Sequence, residues 1–556
     1  MRPLGRLTVV VLSLTAVLVG ALPASAHEER PAQFPDGTGT VPTYRAFPAP
    51  DHLVVCGPDS AQRIAALPED ARVRNESLLP ECGFSSIQDA VDAVRTKDST
   101  IYVLPGVYTE DQYADYRPTG ECAQLQSQTD RGFVGTLTDG LGNGSGSGDA
   151  VAISYADQLR CPHNLNMIAI LGDRTPDDDS IACDSALCGL QLEGTGASPG
   201  DVLIDNKFRK LNAIRADRAG GIVFRNFTVQ QAEFNSLYVI ETDGFLVQQV
   251  VARANDEYGF LAFASDHGLF EHNEAYYNGD SGIYPGSASD INGSSTEFTP
   301  KRYAVEIRHN RLHDNTLGYS GTAGNSVWAH DNLIWHNATG IATDSVFPGH
   351  PGLPQDHARF SHNRIWANNE NYYTRYVDTG VCDRPMKERG YLEGTVCPSV
   401  PVPVGTGVLI AGGNYDSVDN NRIYDNWRNG TMQFWVPAPL RDDYDPAHLY
   451  DTSHDDHYTD NTMGVTPDGK RQPNGLDFWW DDEGAGNCWE GNSSAYGAPT
   501  HNATLGLPTC ASGGSAFTPG APVKDSGFLT CTQYNRDHPP GCDWFDSPRS
   551  PDGREG

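Results

Sequence analysis

The sequence predicts an all-β solenoid, a parallel β-helix, and three observations lead there. An Asn followed five residues later by a second Asn recurs down the second half: Asn273/Asn278, Asn310/Asn315, Asn332/Asn337, Asn363/Asn368, Asn421/Asn426 and Asn487/Asn492, with Asp456/Asn461 as a variant. Two weaker units fit the phase upstream, Asn226 with Gln231 and Gln249 with Asn255 one residue late, and the shortest spacings between first members, 22 to 24 residues, match one coil of such a solenoid. Within each unit the residue two after the first Asn is apolar (Ala275, Leu312, Ile334, Ile365, Ile423), as in a strand with one face in a core.

Stacked coils explain each remaining element in turn. The first Asn of every unit lies over its counterpart, so the amides can bond from coil to coil in an internal ladder. A Gly or Asn shortly after the second Asn (Gly282, Gly318, Gly340, Asn371, Gly430, Gly464) is expected to take a left-handed turn ahead of a short strand. Insertions at about 285–304, 346–358, 376–405 and 434–455 follow that strand and should emerge on one side of the solenoid, the side where binding is expected. A chain this long can be one domain when each unit buries its apolar face against its neighbours. The expected organisation is a signal peptide at 1–26, a Pro-rich segment at 27–55, the β-helix at 56–497 with its strongest repeats at 221–497, and a Cys-containing tail at 498–556 covering the open end.

The first 26 residues have the layout of an export signal: Arg2 and Arg6, an apolar run from Leu7 to Leu22, and the small residues Ala24-Ser25-Ala26. The expected mature protein is secreted and begins at His27. No other stretch has the roughly 20 apolar residues of a membrane span. Twelve cysteines in an exported chain are read as disulfides between neighbours: Cys56/Cys82, Cys122/Cys161, Cys183/Cys188, Cys382/Cys397, Cys488/Cys510 and Cys531/Cys542. The formal charge of −33 becomes −35 when Arg2 and Arg6 leave, which argues against nucleic acid as a partner. It also favours a neutral glycan over a polyanion, which would need Ca²⁺ bridging or a local basic groove. A monomer is expected.

The segment Phe84 to Glu110, "FSSIQDAVDAVRTKDSTIYVLPGVYTE", resembles the N-terminal entry of the pectin-lyase-like superfamily of right-handed parallel β-helices. The resemblance implies a short amphipathic capping helix within 84–97, bearing Ile87, Ala90, Val91 and Val94, ahead of a first strand at Ile101 to Leu104. It also implies a carbohydrate-active lyase, hydrolase, esterase or epimerase, or a non-catalytic binding protein. The hydrolase motifs of that superfamily are missing, and Asp266-His267-Gly268 only partly echoes its epimerase motif, so no catalytic residue carries over.

Stacked units also place side chains in columns. Three residues after the first Asn stand Tyr276, His313, Trp335, Trp366 and Tyr424, an outward aromatic strip that could stack on sugars or lie under a covering segment. One residue after it come Arg311, Arg364 and Arg422, able to grip carboxylates or to pair with neighbouring acids. His272, His309 and His362 precede it, but Asp331 interrupts them as a metal set, and His27 followed by a Pro-rich tether is a second, copper-type possibility. The richest cluster is Asp477, Asp481, Asp482 and Glu483 among Phe478, Trp479, Trp480 and Trp489. Those carboxylates could serve glycosidic chemistry, bind Ca²⁺, or close the last coil. The leading expectation is an extracellular polysaccharide lyase or glycoside hydrolase using that cluster; the alternatives are a glycan-binding protein and a metal-handling one.

Overall fold

The computed structural model describes residues 31–125, 154–175, 181–521, 523–524, 531 and 542–554. The expected signal peptide at 1–26 and His27 lie outside the described residues. The chain is a right-handed parallel β-helix of three long sheets: sheet one with twelve strands, sheet two with eleven and sheet three with ten. One coil contributes one strand to each, as in Val305–Arg308, Arg311–His313 and Leu317–Tyr319. Ala275, Leu312, Ile334, Ile365 and Ile423 all point into the buried core.

The ladders form as the repeat requires. Each main-chain N–H of the first Asn donates to the Oδ1 of its counterpart on the next coil: Asn273 to Asn310 (2.9 Å), Asn310 to Asn332 (2.9 Å), Asn332 to Asn363 (3.0 Å) and Asn363 to Asn421 (2.9 Å). A parallel ladder runs Asn278, Asn315, Asn337, Asn368, Asn426 and Asn474 at the corner between sheets two and three. In the last two coils the assignment shifts by one corner. Asn461 and Asn492 continue the first ladder (Asn421 N to Asn461, 3.0 Å; Asn461 N to Asn492, 2.9 Å). Asp456 and Asn487, expected as first members, belong to a third ladder with Asp416 at the corner between sheets three and one.

Of the glycines expected to turn, Gly464 does lie in the left-handed region (φ 69°), but the repeating left-handed residues are not glycines. They are the residues just before each ladder position, among them Asn226, Gln249, His272, His309, Asp331, His362 and Asn420, with φ between 54° and 58°. Asn, Asp and His tolerate that region better than most side chains, which accounts for the histidine column. Gly282, Gly318, Gly340 and Gly430 lie instead in strands, under the second ladder. A Cβ at Gly340 would sit 2.5 Å from the Gly407 carbonyl oxygen and 2.9 Å from Asn368 Nδ2, so close approach is the reason for glycine there.

Three of the four insertions leave the corner between sheets three and one. The fourth, 376–405, leaves the corner between sheets two and three, between Arg364–Trp366 and Thr406–Ala411, so the insertions do not share one side. The helix Ile87–Ala93 packs beside the first coils, its Ser86 hydroxyl accepting from Asp89 N–H. The Gln88 side chain donates to Ala169 O and accepts from Ala169 N–H on the free edge of Asn166–Leu171, the outermost strand of sheet three. The Pro-rich segment is a strap rather than a loose tether, with Gln33 N bonded to Glu241 (3.0 Å) and Gly39 N to Asp243 (2.7 Å). All six neighbouring cysteine pairs are bonded. The tail first closes the open end, Thr500 O and Pro508 O accepting from Phe478 and Trp489, and then Cys531, Trp544 and Phe545 fold back onto the outer face of sheet three beside Leu409, Met432 and Phe434.

The third ladder contains acids where amides would serve better. Asp456 is fully buried, and burial followed by the adjacent Asp416 raises its carboxyl well above the usual range. Its neutral form is favoured on folding, so that contribution is complete below the unfolded carboxyl pKa near 4 and is lost progressively as pH rises above it. Gln433 donates to Asp456 Oδ2 (2.7 Å) while its own Oε1 is buried without a partner, so a reoriented Gln433 can accept from an amide at this position. Asp456→Asn is therefore expected to raise the unfolding midpoint at pH 8 more than at pH 5, as thermal melts at both values will show.

Candidate active site

The aromatic strip is continuous but its faces are occupied. Tyr276 stacks on His313 (ring centroids 5.2 Å apart), His313 on Trp335 (4.2 Å), Trp335 on Trp366 (5.1 Å) and Trp366 on Tyr424 (6.0 Å), with interplanar angles of 9° to 16°. Rings stacked along the solenoid axis present edges outward, whereas a sugar stacks on a face. The arginine row is largely committed. Arg311 pairs with Glu274 (3.0 Å), Arg422 donates to the carbonyls of Val465 and Thr466, and Arg364 lies over Trp366 at 5.8 Å.

The carboxylates near the C-terminus are woven into the closing coil. Asp477, 1 % exposed, accepts from Ser494 Oγ, Thr500 N and Asn474 Nδ2. Asp481 accepts from the main-chain N–H groups of Trp435 and Glu483, and Asp482 pairs with Lys524 at 2.7 Å. Glu483 is fully buried, and the Trp489 face is taken by Tyr458 at 5.1 Å. Of the histidine column, His272 and His309 stack at 5.1 Å as turn residues. Asp243, Asp266 and His267 come within metal-chelating distance of one another, but His267 bonds Asp243 (2.7 Å) and Arg302 holds Asp266 (2.6 Å).

A different cluster, not singled out by sequence reasoning, lies on the outer face of sheet three. Strand Tyr258–Phe263 and strand Ser281–Gly286 run side by side, pairing Phe260 with Ile283 and Leu261 with Tyr284. Glu257 and Asp280 precede them at equivalent positions on successive coils, and Asp280 N–H donates to Glu257 O at 2.9 Å. Tyr258 and Tyr284 stand beside them, ring centroids 5.1 Å apart. Two insertions supply the rim. Ser399 Oγ lies 3.2 Å from Asp280 Oδ2, and His350 Nε2 lies 3.1 Å from the Tyr284 hydroxyl. Further along the same face Asp344 accepts from Thr322 Oγ1 at 2.9 Å.

The two carboxyls have unlike surroundings. Asp280 Oδ2 accepts from the Tyr258 hydroxyl (3.1 Å) and from Ser399, donors that favour the ionised form, while its Oδ1 is buried without a partner. Burial outweighs those donors and pushes its pKa up to about 7. The Glu257 carboxyl has no such donor among the described residues, and burial, then Asp280, then Asp256 hold it well above the usual range. Asp256 itself is taken by Arg389 (2.6 Å) and Tyr391. Burial likewise lifts both phenols, and it lowers the His350 imidazole to about 4. A signal was present in the sequence: Glu257 and Asp280 each fall two residues after Asn255 and Asn278, the second ladder members of successive units.

A family model described as a right handed beta helix region matches residues 188–345. No curated protein matches the chain. Among solved structures, the chain is similar to the A-module of the Azotobacter vinelandii mannuronan C-5 epimerase AlgE4, with 11 % identity, 73 % of this chain and 83 % of that one covered, and a TM-score of 0.40. It is also similar to the pectate lyase Pel9A, with 12 % identity, 82 % and 78 % coverage and a TM-score of 0.32. An alginate lyase from Paenibacillus sp. str. FPU-7 follows at 12 % identity, 58 % and 93 % coverage and a TM-score of 0.27.

Because the ladder rings spend their faces on each other, Trp335→Leu is expected to lower the unfolding midpoint by several degrees. Its effect on retention of the folded protein by immobilised glycans should stay below twofold, read by affinity electrophoresis.

Proposed function

We propose that the protein is an exported enzyme that hydrolyses a neutral polysaccharide, with Glu257 as general acid and Asp280 as base or nucleophile. The supporting observation is the asymmetry between two adjacent carboxyls. One has no hydrogen-bond donor among the described residues and is held by burial toward its protonated form, while the other receives two hydroxyls that favour ionisation. Separating the protonation of paired carboxyls by environment is how an acid and its partner coexist in glycosidic cleavage.

A neutral substrate fits the same face. Its cations are already engaged, Arg215 with Asp217 (3.0 Å) and Arg389 with Asp256, and the net charge of −33 repels polyanions. The pair is nearly enclosed, Glu257 retaining 5 % exposure and Asp280 1 %. Substrate entry therefore requires the insertions bearing His350 and Ser399 to shift, as lids do. The signal-like N-terminus and the six disulfides support export.

The test is a polysaccharide panel scored for reducing ends and for the ultraviolet absorbance of unsaturated products. Hydrolysis alone is expected. Glu257→Gln and Asp280→Asn should each lower the rate at least 100-fold, the usual scale of an acid–base group, with melting temperatures near wild type. Substituting Asp477, Asp481, Asp482 or Glu483 by Ala should lower stability and spare the rate of the folded fraction; loss of rate without loss of stability would move the site to the closing coil. Unsaturated products would mean a lyase, and retention on glycans without turnover would favour a binding protein. Activity should survive chelation; loss reversed by Ca²⁺ would make the acid pair a cation site. Because Asp280 must be ionised, the rate should fall as pH drops through about 7, and Tyr258→Phe and Ser399→Ala should each move that limb to higher pH.

A further inference from the structure

We infer that cleavage proceeds with retention of anomeric configuration, through a covalent glycosyl ester on Asp280. Resting on the hydrolase reading above, this adds the consequence of where the two carboxyls are mounted. The strand register carries Phe260 onto Ile283 and Leu261 onto Tyr284, so Glu257 and Asp280 are equivalent residues of neighbouring coils. The hydrogen bond from Asp280 N–H to Glu257 O, 2.9 Å, confirms the adjacency at these two residues. Neighbouring strands lie about 4.8 Å apart, and side chains leaving equivalent positions project in parallel. Retaining glycosidases place their carboxyls about 5 to 5.5 Å apart, whereas inverting ones leave roughly 6.5 to 9.5 Å for a water molecule. A pair on adjacent coils belongs to the first class.

The donor pattern assigns the roles. Asp280 is the nucleophile, because Tyr258 and Ser399 aim hydroxyls at its Oδ2 while its Oδ1 is left without a partner and can form the bond to carbon. Glu257 is the acid. In the first step its proton passes to the glycosidic oxygen as the bond from that oxygen to the anomeric carbon breaks. The leaving chain departs as an alcohol, and a carboxylate oxygen of Asp280 bonds to the same carbon. In the second step the Glu257 carboxylate takes a proton from water, the water oxygen attacks the anomeric carbon, and the ester bond breaks to restore the Asp280 carboxylate. One water is consumed per bond cleaved and both groups return to their starting states. The inverting alternative would use Asp344, two coils further along and held by Thr322, as the base that activates water.

The deciding experiment follows wild-type cleavage by proton NMR, using whichever polysaccharide of the panel releases reducing ends and reading the new anomeric signal before mutarotation. The expected first-formed anomer has the configuration of the polymer linkage. The opposite anomer would overturn retention while leaving hydrolysis intact. Absence of cleavage of every polysaccharide, or appearance of unsaturated ends, would remove the hydrolase reading and this inference with it. With Glu257→Ala and an aryl glycoside of the sugar so identified, whose phenolate leaves without a proton, sodium azide should raise turnover at least tenfold and give a glycosyl azide of retained configuration. With Asp280→Ala it should give the inverted azide. Asp344→Asn should leave the anomer unchanged and the rate within a few-fold; loss of cleavage by a variant that melts like wild type would transfer the catalytic role to Asp344.

Discussion

A chain that turns three corners per coil must give every buried main-chain N–H at those corners an acceptor, and this requirement organises the molecule. The solution has two parts at each corner: a residue in the left-handed region turns the chain, and the next residue offers a side-chain oxygen to the coil before it, as Asn332 does for Asn310. An unpaired buried amide costs about 1 to 3 kcal/mol, so the pattern is enforced coil after coil. Glycine under the second ladder leaves room for the amides, as at Gly318, where a Cβ would meet Asn337 Nδ2 at 3.1 Å. What the ladders do not constrain is the length of chain that a corner can carry beyond the ladder residue, and the insertions of 376–405 and 434–455 leave from corners.

Alignment of equivalent residues has opposite consequences for different side chains. Aromatic rings gain from it, and the strip from Tyr276 to Tyr424 is stacked throughout. Carboxyls repel when aligned, and burial deepens the cost. Asp416 and Asp456 meet that cost inside the solenoid and accept main-chain N–H groups as a reward in structure. Glu257 and Asp280 meet it on the outside, beside tyrosines and two insertions. The geometry is shared; the surroundings differ.

Much of this was legible from residues alone, because the ladder is a strict pattern of residue type. The paired asparagines gave the coils, the apolar positions between them gave the core, and the aromatic column could be aligned before any coordinates. Asp456/Asn461 and Asn487/Asn492 were read one corner early because a third ladder at the sheet three to sheet one corner has the same spacing of five. Gly282, Gly318, Gly340 and Gly430 read as turns in the sequence because close approach of backbones has no signature in one sequence, whereas Gly464 does turn. The cluster around Glu257 and Asp280 has no such pattern for a related reason. Tyr258, Tyr284, His350 and Ser399 come from two strands and two insertions, and nothing periodic links an insertion to the coil it covers.

The corner from which each insertion leaves decides where the face of sheet three stays covered. Segment 376–405 leaves between sheets two and three, so its Val396, Val402 and Val404 lie directly over the later coils with Leu317, Leu409 and Trp544. Leu317 begins the strand that pairs with Ser281–Gly286, so this apolar cover starts one coil past Asp280. Ser399, in the same segment, reaches back to the Asp280 carboxylate. One segment therefore ends the face, dries the acid pair and supplies a donor to one of its members. Had it left from the corner used by the other three insertions, the repeat would have kept both carboxyls on adjacent coils but without the apolar neighbour and the hydroxyl that make them unequal.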